Sequence, residues 1–451
     1  MAFSWRFPAA LALGVAPLVL SPRGATVLGW TALVVLLAAV DVFLAASPRA
    51  LVLSRDRLGA VRLTETAASV LTIANPTRRT ARLSVRDAWT ASAGAVAEIR
   101  PLSVPAGEAR RTAGRLRPRR RGDFAADLVT IRSFGPLGLA GRQRSVAVPG
   151  RLRVLPEFRS RRHLPSRLVR LRELDGRTAA QVRGQGTEFD SLREYALGDD
   201  VRSIDWRASA RAEHVQVRTW RPERDRRVLI MLDTSRWAAG RVGDQTRLDA
   251  GIETALLLGA LAGAAGDRVE LLAADREVRA RTGGSVGAGW SGGVAWSAGS
   301  AGSAGSVGAG VLASLADQLA LVEPALVEAN WTLISAQLRA RGRGRALAVL
   351  ITGTDPALVE VGLGPALEAL LRRHVVMVAA VRDPGTALLL AGRANSDAVF
   401  DAAAAERRGL AVAAMESRLR AMGAHVVTAL PEALPPAVAD AYLGLKAAGR
   451  L

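Results

Sequence analysis

Between Gly186 and Arg211 the chain places carboxylates at Glu188, Asp190, Glu194, Asp199, Asp200 and Asp205 among arginines at 193, 202, 207 and 211, with Phe189, Tyr195 and Trp206 interleaved. Asp199, Asp200 and Asp205 lie close enough in sequence to serve as an acid/base or metal cluster, which makes an enzyme of unrecognised type one reading of the stretch. The other reading is structural. Arginine closes bidentate pairs with carboxylates, and aromatic faces accept guanidinium planes, so the run can satisfy itself. That reading pairs Arg193, Arg202 and Arg211 with Glu188, Asp199, Asp200 and Asp205 as a buried hinge, and it expects Trp206 to be packed. A second candidate is Asp233-Thr234-Ser235-Arg236-Trp237, directly after the apolar run Val228–Leu232. Asp233 and Ser235 are oxygen donors of the kind Mg²⁺ takes in its near-octahedral shell.

Other chemistries are excluded by what the chain lacks. It has no cysteine, so disulfides, thiolate metal sites and cysteine nucleophiles are out. The single lysine, Lys446, follows Leu445 and not glycine, so there is no P-loop. The histidines at 163, 214, 374 and 425 are scattered and form no His-x-x-x-His pair. The Gly/Ser/Ala tract over 283–310 contains formal nucleophile-elbow and dinucleotide-fingerprint matches. They lack the strand before and the helix after from which such motifs take their chemistry. The tract reads as a flexible insertion.

The elements that must position these residues fall into four blocks. Residues 1–48 carry an apolar run from Phe7 to Leu20, the break Ser21-Pro22-Arg23-Gly24, and an apolar run from Ala25 to Ala46 whose one charge is Asp41. About 20 apolar residues cross a bilayer, so the expectation is a two-helix transmembrane hairpin with Asp41 shallow in the membrane. Arg49, Arg55, Arg57 and Arg62 follow the second run, against Arg23 alone in the loop. Positive-inside bias then places the soluble part in the cytoplasm of a multi-pass protein with two helices. Residues 49–155 alternate with period two in short segments broken by Asn75-Pro76, Pro105-Ala106-Gly107 and Gly135-Pro136, the pattern of a small β-sandwich. Residues 156–227 form the signature segment and linker. Over 228–451, buried-strand runs at 228–233, 268–273, 346–351, 375–380 and 425–427 alternate with amphipathic helical patterns, which implies a doubly wound parallel sheet with its crevice at the carboxyl ends of the strands.

The net charge is +20, and arginine supplies all of the basic residues except Lys446. Arg117-Pro118-Arg119-Arg120-Arg121 is the densest basic run. Beside a membrane anchor it reads as a solvated turn or a contact to anionic lipid heads, and nucleic acid is not the expected partner.

The order Gly-x-Glu-Phe, Leu-Arg-x-Tyr, Gly-Asp-Asp, Arg, Ile-Asp-Trp, Ser-Ala-Arg, present here from Gly186 to Arg211, resembles the signature of the domain of unknown function 58 family. Asp233-Thr234-Ser235 resembles the metal-ion-dependent adhesion site of von Willebrand factor type A domains, with two departures. Trp237 stands where the second serine of such sites is found, and Gly353 where an aspartate is expected; Asp355 lies two residues further on. The site is degenerate, and no cofactor is expected, Mg²⁺ being the one candidate. These resemblances imply a type A-like α/β domain behind the sandwich and the anchor. They also imply a scaffold or adaptor role in envelope or complex assembly, with an AAA-type ATPase of the MoxR kind as partner and a transglutaminase-like membrane protein as a further associate.

Overall fold

The computed structural model describes residues 2–20, 22–96, 98–181, 188–196, 199–212, 214–221, 226–282, 303–341 and 344–451; side chains at 175–181, 188–191, 219–221 and 303–308 are excepted. The insertion expected over 283–310 therefore lies outside the described residues as far as 302. Its last part, from Ser303, is helix. The chain divides into Met1–Glu157 and Phe158–Leu451.

In the first unit the leading apolar run is two short helices, Arg6–Ala12 and Val15–Leu20, and the second is one helix of 21 residues, Gly24–Leu44. Only the latter, among the described residues, is long and apolar enough to cross a membrane. The Trp30 indole Nε1–H donates to the Ala10 carbonyl at 3.0 Å and ties the two runs together. Asp41 is fully buried, and its place differs from the shallow membrane position expected of it. Its carboxylate accepts the amides of Leu137 at 2.8 Å, Leu139 at 2.7 Å and Ala140 at 3.1 Å, in a turn between two strands of the following sheet. A charge on an apolar helix is here the acceptor for three backbone N–H groups that would otherwise lack partners.

That sheet is built around the long strand Gly122–Phe134, which pairs antiparallel with Ala81–Trp89 and with Ala140–Ala147. A three-stranded sheet of Val52–Arg55, Ala67–Ala74 and Ala109–Leu116 faces it. Leu71 and Ile73 from the smaller sheet meet Leu83, Val85, Val129 and Ile131 from the larger in one core. The alternating burial of Ala67–Ala74 is the period-two pattern that two-layer packing requires. Arg55, nearly without solvent exposure, bridges the layers through a bidentate pair with Asp87, both contacts at 2.8 Å, beneath the Trp89 ring. Arg117, Arg119 and Arg120 are exposed in the turn before Gly122.

The second unit is organised on a six-stranded sheet: β1 (Arg227–Asp233), β2 (Arg268–Ala274), β3 (Val278–Arg281), β4 (Leu347–Ile351), β5 (Val375–Val381) and β6 (His425–Ala429). Their spatial order is β3-β2-β1-β4-β5-β6; all neighbours run parallel except β3, an antiparallel edge. β1, β4 and β5 are buried almost end to end, because helices cover both faces. Alternate residues Val228, Ile230 and Leu232 pack with α1 (Arg247–Ala264), α2 (Ser303–Ala320) and α6 (Leu434–Ala447). Leu229 and Met231 pack the other way, with α3 (Trp331–Arg341), α4 (Gly364–Leu371) and the end of α5 (Ser396–Ala421). α1 begins at a capping box in which the Thr246 and Asp249 side chains satisfy each other's backbone amides. The helix Leu164–Gln181 belongs to this unit: Arg167 pairs with Asp440 of α6 at 2.6 Å, and Leu164 and Leu168 pack on the core.

Candidate functional site

The carboxyl edge of the sheet reverses its strand order between β1 and β4, the place where open α/β sheets form a crevice. Asp233 ends β1 there and has no solvent exposure. Its Oδ1 accepts the Ser235 amide at 2.8 Å and its Oδ2 accepts the Thr352 hydroxyl at 2.6 Å from the end of β4. Thr234, also fully buried, donates its hydroxyl to Asp275 Oδ2 at 2.7 Å. The same Asp275 oxygen accepts Arg279 Nε at 2.8 Å. Two buried acids therefore stand side by side and titrate in opposite senses. Burial pushes Asp233 above the usual carboxylate range, against hydrogen bonds from Thr352 and Ser235. Burial acts the same way on Asp275, but the bonds from Arg279, Thr234 and the Glu277 amide outweigh it and bring the group below that range. Asp275 and Arg279 carry no periodicity or motif that marks them in the sequence; only the β2–β3 turn brings them to Thr234.

Trp237 and Gly353 meet. A β-carbon at 353 would lie 2.2 Å from the indole Nε1, so the ring occupies the space a longer side chain would take. Arg247 covers the ring, its guanidinium carbon 5.2 Å from the centroid. Asp355 pairs with Arg408 at 3.1 Å, and Arg236 pairs with Glu328 at 2.7 Å, not with Asp233. These residues do not fit a divalent cation. Burial favours the protonated form of Asp233, both of its oxygens are engaged, and the indole fills the position from which a second carboxylate would ligate. Among the described residues no group of three or more acids or histidines is placed to hold a metal.

The signature segment is a β-hairpin, Glu188–Glu194 against Gln216–Arg221, and the described residues between the strands include the turns Val201–Ser203 and Trp206–Ser209. The Glu188 and Phe189 side chains lie outside the described set, though their backbone pairs with Arg221 and Trp220. Arg193 holds Asp199 bidentately at 2.7 and 2.5 Å. Asp200 caps a 3₁₀ turn, Val201–Ser203, through the Arg202 amide. Asp205 caps the turn of helix Trp206–Ser209 through the amides of Arg207 and Ala208 and accepts Arg218 Nε at 2.8 Å. The Arg193 bond holds Asp199 below its ordinary value, and the Ala208 amide followed by Arg218 does the same for Asp205.

The buried hinge of arginine–carboxylate pairs is thus corrected. The pairs lie at the surface, Asp205 takes Arg218 in place of Arg202 or Arg211, and both of those arginines are exposed. Trp206 is 67% exposed, not packed, and Tyr195, Val201 and Leu192 are exposed as well. The cause is local: Asp200 and Asp205 are spent as caps on the turns that follow them, and among the described residues nothing buries Trp206. Asp199, Asp200 and Asp205 each turn to their own neighbours, and no common point for acid/base chemistry results.

Residues 191–288, from this hairpin through β1, β2 and β3, match the family model described as protein of unknown function DUF58. No curated protein matches the chain. Among solved structures, trypsin-activated alpha-2-macroglobulin from Escherichia coli is similar at 12% identity with a TM-score of 0.19, over 47% of this chain and 13% of that one. Bacteroides uniformis beta-glucuronidase 2 is similar at 10% identity with a TM-score of 0.13, over 84% of this chain and 33% of that one. The chain thus spans well under half the length of either.

Proposed function

We propose that the protein is a membrane-anchored adaptor: two N-terminal spans hold it in the cell membrane, its soluble units lie in the cytoplasm, and a type A-like domain binds a protein partner through the signature hairpin. The observation that carries this reading is the exposed Trp206, set on a capped turn with the exposed Arg202, Arg207 and Arg211 within five residues of it in sequence. Asp199, Asp200 and Asp205 are used to shape the loop. Trp206, Tyr195, Arg202, Arg207 and Arg211, of the residue types that dominate binding energy at interfaces, are left to solvent. A complementary partner surface offers an apolar pocket rimmed by carboxylates. Five parallel strands with helices on both faces and an aspartate at the switch point support the type A likeness. The apolar length of Gly24–Leu44 supports the anchor. The DUF58 match over residues 191–288 supports the family resemblance, and the partner proposed from that resemblance is an AAA-type ATPase of the MoxR kind.

Affinity purification of the tagged full chain from native membranes tests this. The wild type and Arg119→Ala should retain the ATPase, and Trp206→Ala should lose it with an unchanged melting temperature. If Trp206→Ala keeps every partner, the hairpin is not the docking site. Capture of nucleic acid that weakens steeply with salt would instead mean phosphate binding.

A further inference from the structure

The opposite, amino-terminal edge of the parallel sheet holds a cavity of about 320 Å³ where β1, β4 and β5 begin. Its floor is apolar, formed by buried residues such as Val228 and Leu347. Its polar lining is Arg226, Arg227, Arg345, Arg450 and Asp267. Asp267 is already engaged: Oδ2 accepts the Tyr442 hydroxyl at 2.5 Å and Oδ1 the Lys446 ammonium at 3.3 Å, both from α6. Its charge is shared by Lys446 and Arg226, and among the described residues Arg227, Arg345 and Arg450 remain around the space. Arg227 is steadied by one bond, Nη1 to the Arg341 carbonyl at 3.2 Å, which leaves its other N–H donors for a ligand. The field at this edge reaches neighbouring groups: the His425 imidazole is held below its usual range by burial and then by Arg450.

We propose that this cavity binds a phosphate-class anion. A carboxylate fills one guanidinium fork, whereas the oxygens of a phosphoryl or pyrophosphoryl group can be shared among several, and converging arginines suit such a ligand better than lysine would. The volume lies at the small end of the roughly 300–1,000 Å³ range of small-molecule pockets, enough for a pyrophosphate or the phosphorylated end of a larger molecule. The site is separate from the Asp233 crevice and from the signature hairpin, and does not depend on the adaptor reading.

The test is titration calorimetry of the full chain in nanodiscs of zwitterionic lipid, with sodium pyrophosphate as probe and sodium chloride at matched ionic strength as control. Arg345 and Arg450 are exposed, so Arg345→Gln/Arg450→Gln should fold as the wild type does, checked by an unchanged melting temperature without the probe. The expected result is saturable binding to the wild type and an affinity at least tenfold lower in the double variant. Repeating the titration in discs containing phosphatidic acid separates the sources: loss of pyrophosphate binding there assigns the site to a lipid headgroup, and unchanged binding assigns it to a free phosphate compound. No saturable heat, or equal heat in wild type and double variant, would overturn the proposal, since general screening alone then accounts for it.

Discussion

Trp237 and Gly353 are one feature of the crevice, because the indole sits where any side chain at 353 would go. Gly353→Ala should therefore destabilise by about 1–3 kcal/mol, the usual range for forcing extra volume into a packed site. Mg²⁺ should leave the melting temperature of the wild type unchanged. Trp237→Ser with Gly353→Asp should make it Mg²⁺-dependent, by freeing the volume and adding the missing carboxylate. A Mg²⁺-dependent rise in the wild type, lost in Asp233→Ala, would refute this account of the site. The two buried acids predict opposite pH responses. Asp233 has a raised value in the fold, so the stability it contributes is complete below its unfolded value near pH 3.9 and is lost as pH rises through its folded value. Asp275 has a lowered value, so its contribution is present above that point and is lost as pH falls through its folded value. Between pH 4 and 7, thermal unfolding should show Asp233→Asn gaining on the wild type with rising pH. The deficit of Asp275→Asn should be constant over that window and shrink only on acidification below about pH 4.

Among the elements, the clasp between helix Gly24–Leu44 and the turn at residues 137–140 rests on a single carboxylate. Asp41→Ala leaves three N–H groups without their acceptor, and each such buried group typically costs about 1–3 kcal/mol. Limited proteolysis of the membrane-embedded chain should then cut near residue 137, where the wild type resists; equal resistance would show that the clasp is dispensable. The signature hairpin should respond more mildly. Asp205→Ala removes a helix cap and the Arg218 contact at the surface, so a fall of a few degrees in melting temperature is expected, with Arg211→Ala and Arg119→Ala nearly silent. Thr246→Ala breaks the capping box of the buried α1 and should cost about 1 kcal/mol in chemical denaturation.

For the whole molecule, the arginine bias after the second apolar run expects a reporter fused after Leu451 to be active on the cytoplasmic side; activity on the far side of the membrane would reverse the topology. The charge of +20 bears on where the molecule can work, since it favours anionic surfaces and ligands over acidic self-association. The amino-edge cavity is a specific place where that excess is concentrated.

Periodicity alone located the buried strands: the apolar runs at 228–233, 268–273, 346–351 and 375–380 are β1, β2, β4 and β5 to within a residue or so, because a strand covered on both faces must be apolar throughout. The signature residues were legible by type and spacing, and so were the two departures at Trp237 and Gly353. What each of them touches was not. Pairing depends on which backbone amide or guanidinium the fold brings within 3 Å, and sequence distance does not record that. Arg218 reaches Asp205 across a hairpin, Asp275 reaches Thr234 across two parallel strands, and Asp41 reaches amides nearly a hundred residues away. Burial was decided at the same level. The sequence put charge and aromatics into the signature loop, but only the tertiary structure, in which no described element covers Trp206, left that ring in solvent and gave the loop's acids the work of caps.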